Sequence, residues 1–186
     1  RVTFIPKPGK STYDSPKSFR PISLTNFLFK VLERVNLWEM EESSLKLNPI
    51  HPNQHAFFRG SSTESALSAM VDRIERAISR GQFALVTFLD IQGAFDNLTK
   101  DSIFNGMRRK AVPDVIINWY MQYLSSRIAV VHIKGKDGKR WLVLGVPQGG
   151  VLSPTVWNLS MDELLELFKG SPVIPIAFAD AGPFRL

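Results

Sequence analysis

The sequence predicts a mixed fold of helices and strands, and three observations predict it. Phe83–Leu89 has six apolar residues in seven, with Val, Phe and Thr among them, the pattern of a short strand buried on both faces. A second apolar run, Val173–Ala179, has the same character. Between and before these runs lie several stretches whose apolar residues recur at helical spacing. Each apolar run closes on a carboxylate, Asp90 and Asp180. A lone strand-end Asp commonly only seeds a turn. Two such strands side by side would instead build an oxygen-ligand site for a divalent metal.

With 186 residues the chain can bury one sizeable core, as one domain or a domain with a small annex. Hydrophobic content of 44% and charged content of 22% are those of an ordinary soluble globular chain. The net charge of +6 is compatible with binding a polyanion without requiring it. The absence of cysteine excludes disulfides and thiolate metal sites and permits an intracellular location. No apolar run approaches the roughly 18 residues that would span a bilayer as a helix. The first residues do not form a signal peptide and include no initiator Met, so the chain reads as a piece of something longer.

In order, Val2–Ile5 reads as a strand that Pro6-Lys7-Pro8-Gly9-Lys10 breaks into a basic loop. With Lys17, Arg20 and Lys30 this is either a solvated surface or a set of cations for phosphate. Leu24, Phe27, Leu28, Val31, Leu32 and Val35 then form the core face of a helix with Ser23 as N-cap. Ser61-Ser62-Thr63-Glu64 is a capping box for a helix that ends near Gly81, with Leu67, Met70, Val71, Ile74 and Ile78 inward. Asp96 and Asn97 read as caps of a helix Thr99–Lys110, and Pro113–Leu124 as the next. Arg127–Ile133 and Arg140–Leu144 form a hairpin around the polar run Lys134–Lys139, whose basic tip reads as wet. Gly145–Pro154 is a Gly-rich loop before a helix, with Ser153 and Pro154 as N-cap and first turn and Trp157, Met161, Leu164, Leu165 and Phe168 inward.

Four separated segments carry a resemblance. Asp90-Ile91-Gln92-Gly93-Ala94-Phe95-Asp96, Phe19-Arg20-Pro21-Ile22-Ser23-Leu24, Gln54–Thr63 and Gly145–Pro154 resemble, respectively, the "xxDxxxAFD", "RPISL", "QxGFRxGxST" and "GxPQGxxLSP" segments of reverse transcriptases, the last three looking most like those of non-LTR, LINE-type retrotransposons. The third departs at Ala56 and Phe58, with Arg59 one position later than the usual Arg. Ala179-Asp180-Ala181 stands where the family has "ADD", so one family carboxylate is absent.

The resemblance implies an α+β polymerase module of palm and fingers, with an antiparallel sheet backed by helices and carrying the acids, and with the thumb absent. Residues 1–82 would be mainly fingers and 83–186 mainly palm with some fingers elements. It implies RNA-directed DNA polymerase activity: dNTPs added to a primer 3′-hydroxyl on an RNA template, with Mg²⁺, or Mn²⁺ in its place. Asp90 and Asp180 would be the catalytic, metal-holding residues. Lys7, Arg20, Ile91, Phe95, Gln148 and Gly149 would meet the nucleotide, with the Phe95 ring excluding a 2′-hydroxyl by its bulk. Arg59, Ser62 and Gly150 would meet nucleic acid, and His51 and His55 read as surface or template-side residues rather than metal ligands. The expected setting is intracellular, nucleus or cytoplasm, without a membrane, in a longer polyprotein with a thumb and an endonuclease region. Ala181 and the divergent 181–186 imply impaired catalysis, and the alternative is a silent nucleic-acid-binding remnant.

Overall fold

The computed structural model describes residues 1–133 and 135–179. Its described residues form an α+β arrangement of seven α-helices and a four-stranded mixed sheet. Strands β1 (Val2–Pro6) and β2 (Phe19–Ser23) pair antiparallel, with Val2 opposite Ser23 and Pro6 opposite Phe19. Pro21 has no amide hydrogen, and β2 tolerates it because it is an edge strand. Strands β3 (Ile128–Ile133) and β4 (Lys136–Trp141) form a hairpin, but the polar run expected as its turn is itself the second strand from Lys136 on, because ladder pairing with β3 and not side-chain polarity sets the register, and Leu142–Leu144 lie beyond it. The order is β2-β1-β3-β4, and a parallel pairing of Val2 with Val131 joins the two halves. The expected wholly antiparallel sheet is therefore corrected. No tight turn links β1 to β3, so nothing in the chain forces them to run in opposite directions.

Helix α1 (Phe27–Glu42) is followed by the single turn α2 (Ser44–Leu47) and by α3 (Thr63–Ser79). Then come the short α4 (Ala94–Asn97), α5 (Lys100–Arg109), α6 (Asp114–Ser125) and α7 (Ser153–Glu166). Ser62 and Ser65 cap α3 reciprocally, so a capping box is present but stands one residue later than the Ser61–Glu64 box read from the sequence, with Ser65 in place of the acid. Thr99 caps α5, so Asp96 and Asn97 do not; both belong to α4 instead. The core lies between α5, α6, α7 and one side of α1, where Met40, Ile103, Met107, Ile117, Tyr120, Leu124, Leu152 and Leu159 are buried. A buried ion pair locks one end of it. Lys110 Nζ lies 2.7 Å from Asp162 Oδ2 and donates to Pro49 O at 2.8 Å, while Asp162 Oδ1 accepts from His51 N at 2.7 Å.

Four further expectations fail. The cap of α1 is Asn26, whose Oδ1 accepts from Leu28 N at 2.8 Å, and not Ser23. The stripe Leu24, Phe27, Leu28, Val31, Leu32 and Val35 faces out, with Phe27 77% exposed, and the buried face carries Glu33, Leu37 and Met40. A helix that is apolar on two sides offers periodicity no means of choosing between them. Residues 82–91 have no regular secondary structure, and Phe83 and Leu85 are almost fully exposed. An apolar run becomes a buried strand only beside partner strands, and none among the described residues pairs with it. Residues 173–179 are likewise no strand. Ala177 alone bridges, in parallel, to Gln54 through His55 N to Ala177 O (2.8 Å) and Ala177 N to Asn53 O (2.9 Å). The two apolar runs are thus not neighbours in a sheet among the described residues.

Candidate nucleotide-binding cleft

The loop Gly145–Leu152 is the element to which the surrounding site is fitted. Gly145 N donates to Leu98 O and Val146 N to Phe95 O, both at 2.8 Å, which lays the start of the loop along α4. This requires glycine at 145. Its φ is +75°, and a Cβ there would stand 2.7 Å from both Phe95 O and Asp96 O. Ser23 N donates to Gln148 O at 2.8 Å, which ties the middle of the loop to the end of β2. Gly150 N and Ser153 Oγ both donate to Pro147 O, at 3.0 and 2.8 Å, and fold the loop back on itself before α7.

This stitching leaves a cleft of about 540 Å³ lined by Lys7, Arg20, Phe57, Phe95, Asp96, Gln148, Gly149 and Gly150, with neighbours from α4 and the start of α7. Lys7 and Arg20 reach it from the sheet. Arg20 is directly opposite Ile5, two residues before Lys7, so the two cations share a face. The Lys7 backbone is held at both ends, its N donating to Ser18 O and its O accepting from Tyr13 Oη, each at 2.8 Å. On the opposite wall Phe95 stacks on Trp157 with centroids 5.6 Å apart and meets Phe57 edge-on at 6.0 Å. Gln148 Nε2 donates to Asp96 Oδ1 at 3.0 Å. A cleft with two cations at one side, an aromatic wall at another and an amide between them can take a ligand with both an anionic and a flat or sugar-like part.

Beneath the loop are buried charges. Glu33, fully buried on α1, accepts from Val151 N (3.1 Å) and Leu152 N (3.4 Å). Burial raises its pKa above the ordinary 4.5, opposed by those two amides and by Lys30. Arg127 Nη2 donates to Leu144 O and Gly145 O. Burial lowers its pKa, opposed by Tyr123 and Tyr120. Burial also pushes the Tyr123 phenol up to about 12 and raises that of Tyr120.

Of the residues singled out from sequence, Lys7, Arg20, Phe95, Gln148, Gly149 and Gly150 come together here. Asp90 and Ile91 stand on the irregular segment outside the lining of the cleft. Arg59 is exposed, and the Ser62 hydroxyl is engaged in capping α3 and in a 2.8 Å bond to Glu64, so neither lines the cleft. Asp180 and Ala181 lie outside the described residues. Among the described residues no group of three or more His, Cys, Asp or Glu is placed to hold a metal ion, and no helix is long and apolar enough to cross a membrane. Sequence reasoning missed Phe57, Asp96 and Glu33. Phe57 has φ +58°, which nothing in a run of two phenylalanines announces, Asp96 reads locally as a cap, and a lone Glu in a helix reads as solvated.

The sequence model of the family described as "Reverse transcriptase (RNA-dependent DNA polymerase)" matches residues 5–181. The chain is 32% identical over 169 residues to the retrovirus-related Pol polyprotein from type-1 retrotransposable element R1 of Bradysia coprophila, covering 90% of this chain and 16% of that protein. It is 29% identical over 164 residues to the probable RNA-directed DNA polymerase from transposon BS of Drosophila melanogaster, covering 88% and 18%. It is 31% identical over 171 residues to the Pol polyprotein from type-1 retrotransposable element R2 of Nasonia vitripennis, covering 89% and 16%. The chain spans less than a fifth of the length of these relatives.

Proposed function

The chain belongs to the reverse transcriptase (RNA-dependent DNA polymerase) family, and from that premise we propose that it is a palm-and-fingers portion of a non-LTR retrotransposon polymerase whose cleft receives the incoming dNTP. Residues 1–82 would be mainly fingers and 83–186 mainly palm with some fingers elements. One observation carries the reading: Lys7, Arg20, Phe95, Gln148 and Gly149, drawn from four distant parts of the sequence, line one cleft.

Lys7 and Arg20 bind the triphosphate, the Arg fork pairing with phosphate oxygens and the Lys acting as a point charge. Phe95, braced by Trp157 and Phe57, lies against the sugar and leaves no room for a 2′-hydroxyl. Gln148 exchanges its bond to Asp96 for one to the nucleotide, and Gly149 lets the backbone approach it. Ile91 adds its backbone near the nucleotide, while Arg59, Ser62 and Gly150 contact template and primer. Asp90 and Asp180 supply carboxylate oxygens, the donor type Mg²⁺ takes, and Mg²⁺ needs only one or two carboxylates when substrate phosphates complete its shell. The two carboxylates are of the donor type that Mg²⁺, or Mn²⁺ in its place, takes, and the ion when bound would lower the pKa of the primer 3′-hydroxyl and neutralise charge on the departing pyrophosphate. Ala181, at the place of a further family carboxylate, weakens that site, and impaired turnover follows.

The absent carboxylate favours one second reading, a silent remnant that binds nucleic acid through the basic residues of its fingers. Primer extension on an RNA template with Mg²⁺ or Mn²⁺, with Asp90→Ala as control, separates the two. Slow extension abolished in the control supports the polymerase reading. No extension by either protein, together with salt-sensitive template binding that Asp90→Ala retains without metal, supports the remnant.

A further inference from the structure

The loop that carries Gln148 and Gly149 is gripped from below by two buried charges of opposite sign, one at each end. At its entry the Arg127 guanidinium donates to the carbonyls of Leu144 and Gly145. At its exit the Glu33 carboxylate accepts the amides of Val151 and Leu152. The matching is chemical: a cation meets carbonyl oxygens and an anion meets N–H groups. Both groups come from other elements, Glu33 from α1 and Arg127 from the residue preceding β3. Val151 and Leu152 immediately precede α7, where backbone amides are left without intrahelical partners and where Leu152, the N-cap, offers no side-chain acceptor. Glu33 satisfies the amides of these two residues at the mouth of the helix from more than a hundred residues away. The seat is tight, because a Cβ on Gly150 would stand 3.1 Å from Glu33 Oε1 and 2.6 Å from Ser153 Oγ.

A helix cap alone needs only a surface Ser or Asp. Fully burying a carboxylate costs several kcal/mol unless its oxygens are paired. The fold accepts a buried carboxylate at one end of this loop and a largely buried guanidinium at the other. Both sit directly under the wall of the cleft that presents Gln148.

We propose that Glu33 and Arg127 are positioning residues for the cleft, clamping the two ends of the Gly145–Leu152 loop so that Gln148 and Gly149 are held ready for the nucleotide. This rests on the nucleotide reading of the cleft. Neither side chain lines the cleft, so each acts only through the loop.

The test compares the parent protein with Glu33→Gln, Arg127→Lys and, as a control for general destabilisation of the same helix, Leu37→Ala. Glu33→Gln keeps the volume but leaves one acceptor where there were two. Arg127→Lys keeps the charge but loses the planar fork. Two quantities are read: hydrogen exchange at the amides of 146–152, and the Kd for a fluorescent mant-dATP. The clamp predicts that Glu33→Gln speeds exchange at Val151 or Leu152 by about tenfold or more while the rest of α7 keeps its protection. It predicts an mant-dATP Kd about five- to tenfold weaker in both clamp variants, and unchanged in Leu37→Ala at a temperature where all remain folded. Unchanged loop exchange and unchanged Kd in folded Glu33→Gln would overturn the proposal. So would equal weakening in Leu37→Ala, which would make the effect one of stability. If the parent protein itself fails to bind mant-dATP, the nucleotide reading falls, and the exchange result still decides whether the two charges hold the loop.

Discussion

Gly145→Ala tests whether the loop is docked on α4 as described, and its cost divides into two parts. The first is conformational: φ at 145 is +75°, and an L-residue held in the left-handed region pays about 1–2 kcal/mol. The second is steric. The new Cβ would stand 2.7 Å from Phe95 O and Asp96 O and 2.9 Å from Asp96 Cα, all of them backbone atoms that cannot swing aside. Relief requires the loop to lift, and lifting stretches the bonds from Gly145 N to Leu98 O and from Val146 N to Phe95 O, each worth about 0.5–1.5 kcal/mol. The expected total is about 2–5 kcal/mol. For a chain of this size that lowers Tm by roughly 4–20 °C. Gly170 provides the control. Its φ is +81°, yet no atom lies within 4 Å of a Cβ built there, so Gly170→Ala should carry only the conformational cost of about 1–2 kcal/mol. Urea unfolding of the two variants gives the difference directly. Equal destabilisation by both would refute the docking of the loop against α4.

Three further outcomes are expected. Asp162→Asn leaves the Lys110 ammonium buried without its counter-charge and should cost about 3–5 kcal/mol, with Lys110→Met in the same protein recovering more than about 1 kcal/mol, as urea midpoints of the single and double variants would report. Glu33 has a raised pKa in the folded state, so it favours folding below 4.5 and this contribution is lost as pH rises from 4.5 through the higher folded value. The stability difference between Glu33→Gln and the parent should therefore shift in favour of the variant across that window, in urea titrations that also control for Lys30, Tyr120 and Tyr123. Phe95→Val removes the ring between Trp157 and Phe57 and should narrow the preference for dATP over ATP by about tenfold or more in competition against mant-dATP, while an unchanged preference would deny the ring that role.

The sequence announces the pieces whose signals are local. The existence of the hairpin, of α3, of the Thr99-bounded α5 and of α7 with Pro154 in its first turn follows from turn and cap chemistry within a few residues, although the α3 cap falls on Ser62 rather than Ser61, Leu152 rather than Ser153 caps α7, and the second hairpin strand begins at Lys136. The motif residues of the cleft are also legible, although only resemblance links Lys7 to Gln148 across the chain. What fails depends on partners distant in sequence. Phe83–Leu89 has the composition of an inner strand, but composition cannot supply neighbours to pair with. The outward stripe of α1 fails for a related reason. The helix has apolar residues on both sides, and its orientation is set by Glu33, a charged residue that finds two amides 118 and 119 residues away. A buried carboxylate satisfied by backbone has no local signature, so the residue that fixes the helix is the one least expected to be buried.

The most direct measurement of the central claim is to irradiate the protein with a photoreactive dNTP, 4-thio-dTTP, and to locate the adducts by mass spectrometry. A nucleotide seated as described lies against Phe57, Phe95 and Gln148, so adducts should fall on the residues 57, 93–96 and 147–150 and be competed by unlabelled dNTP. Arg20→Ala should reduce them. Competable adducts confined to other surfaces, or none at saturating nucleotide, would contradict the assignment of this cleft.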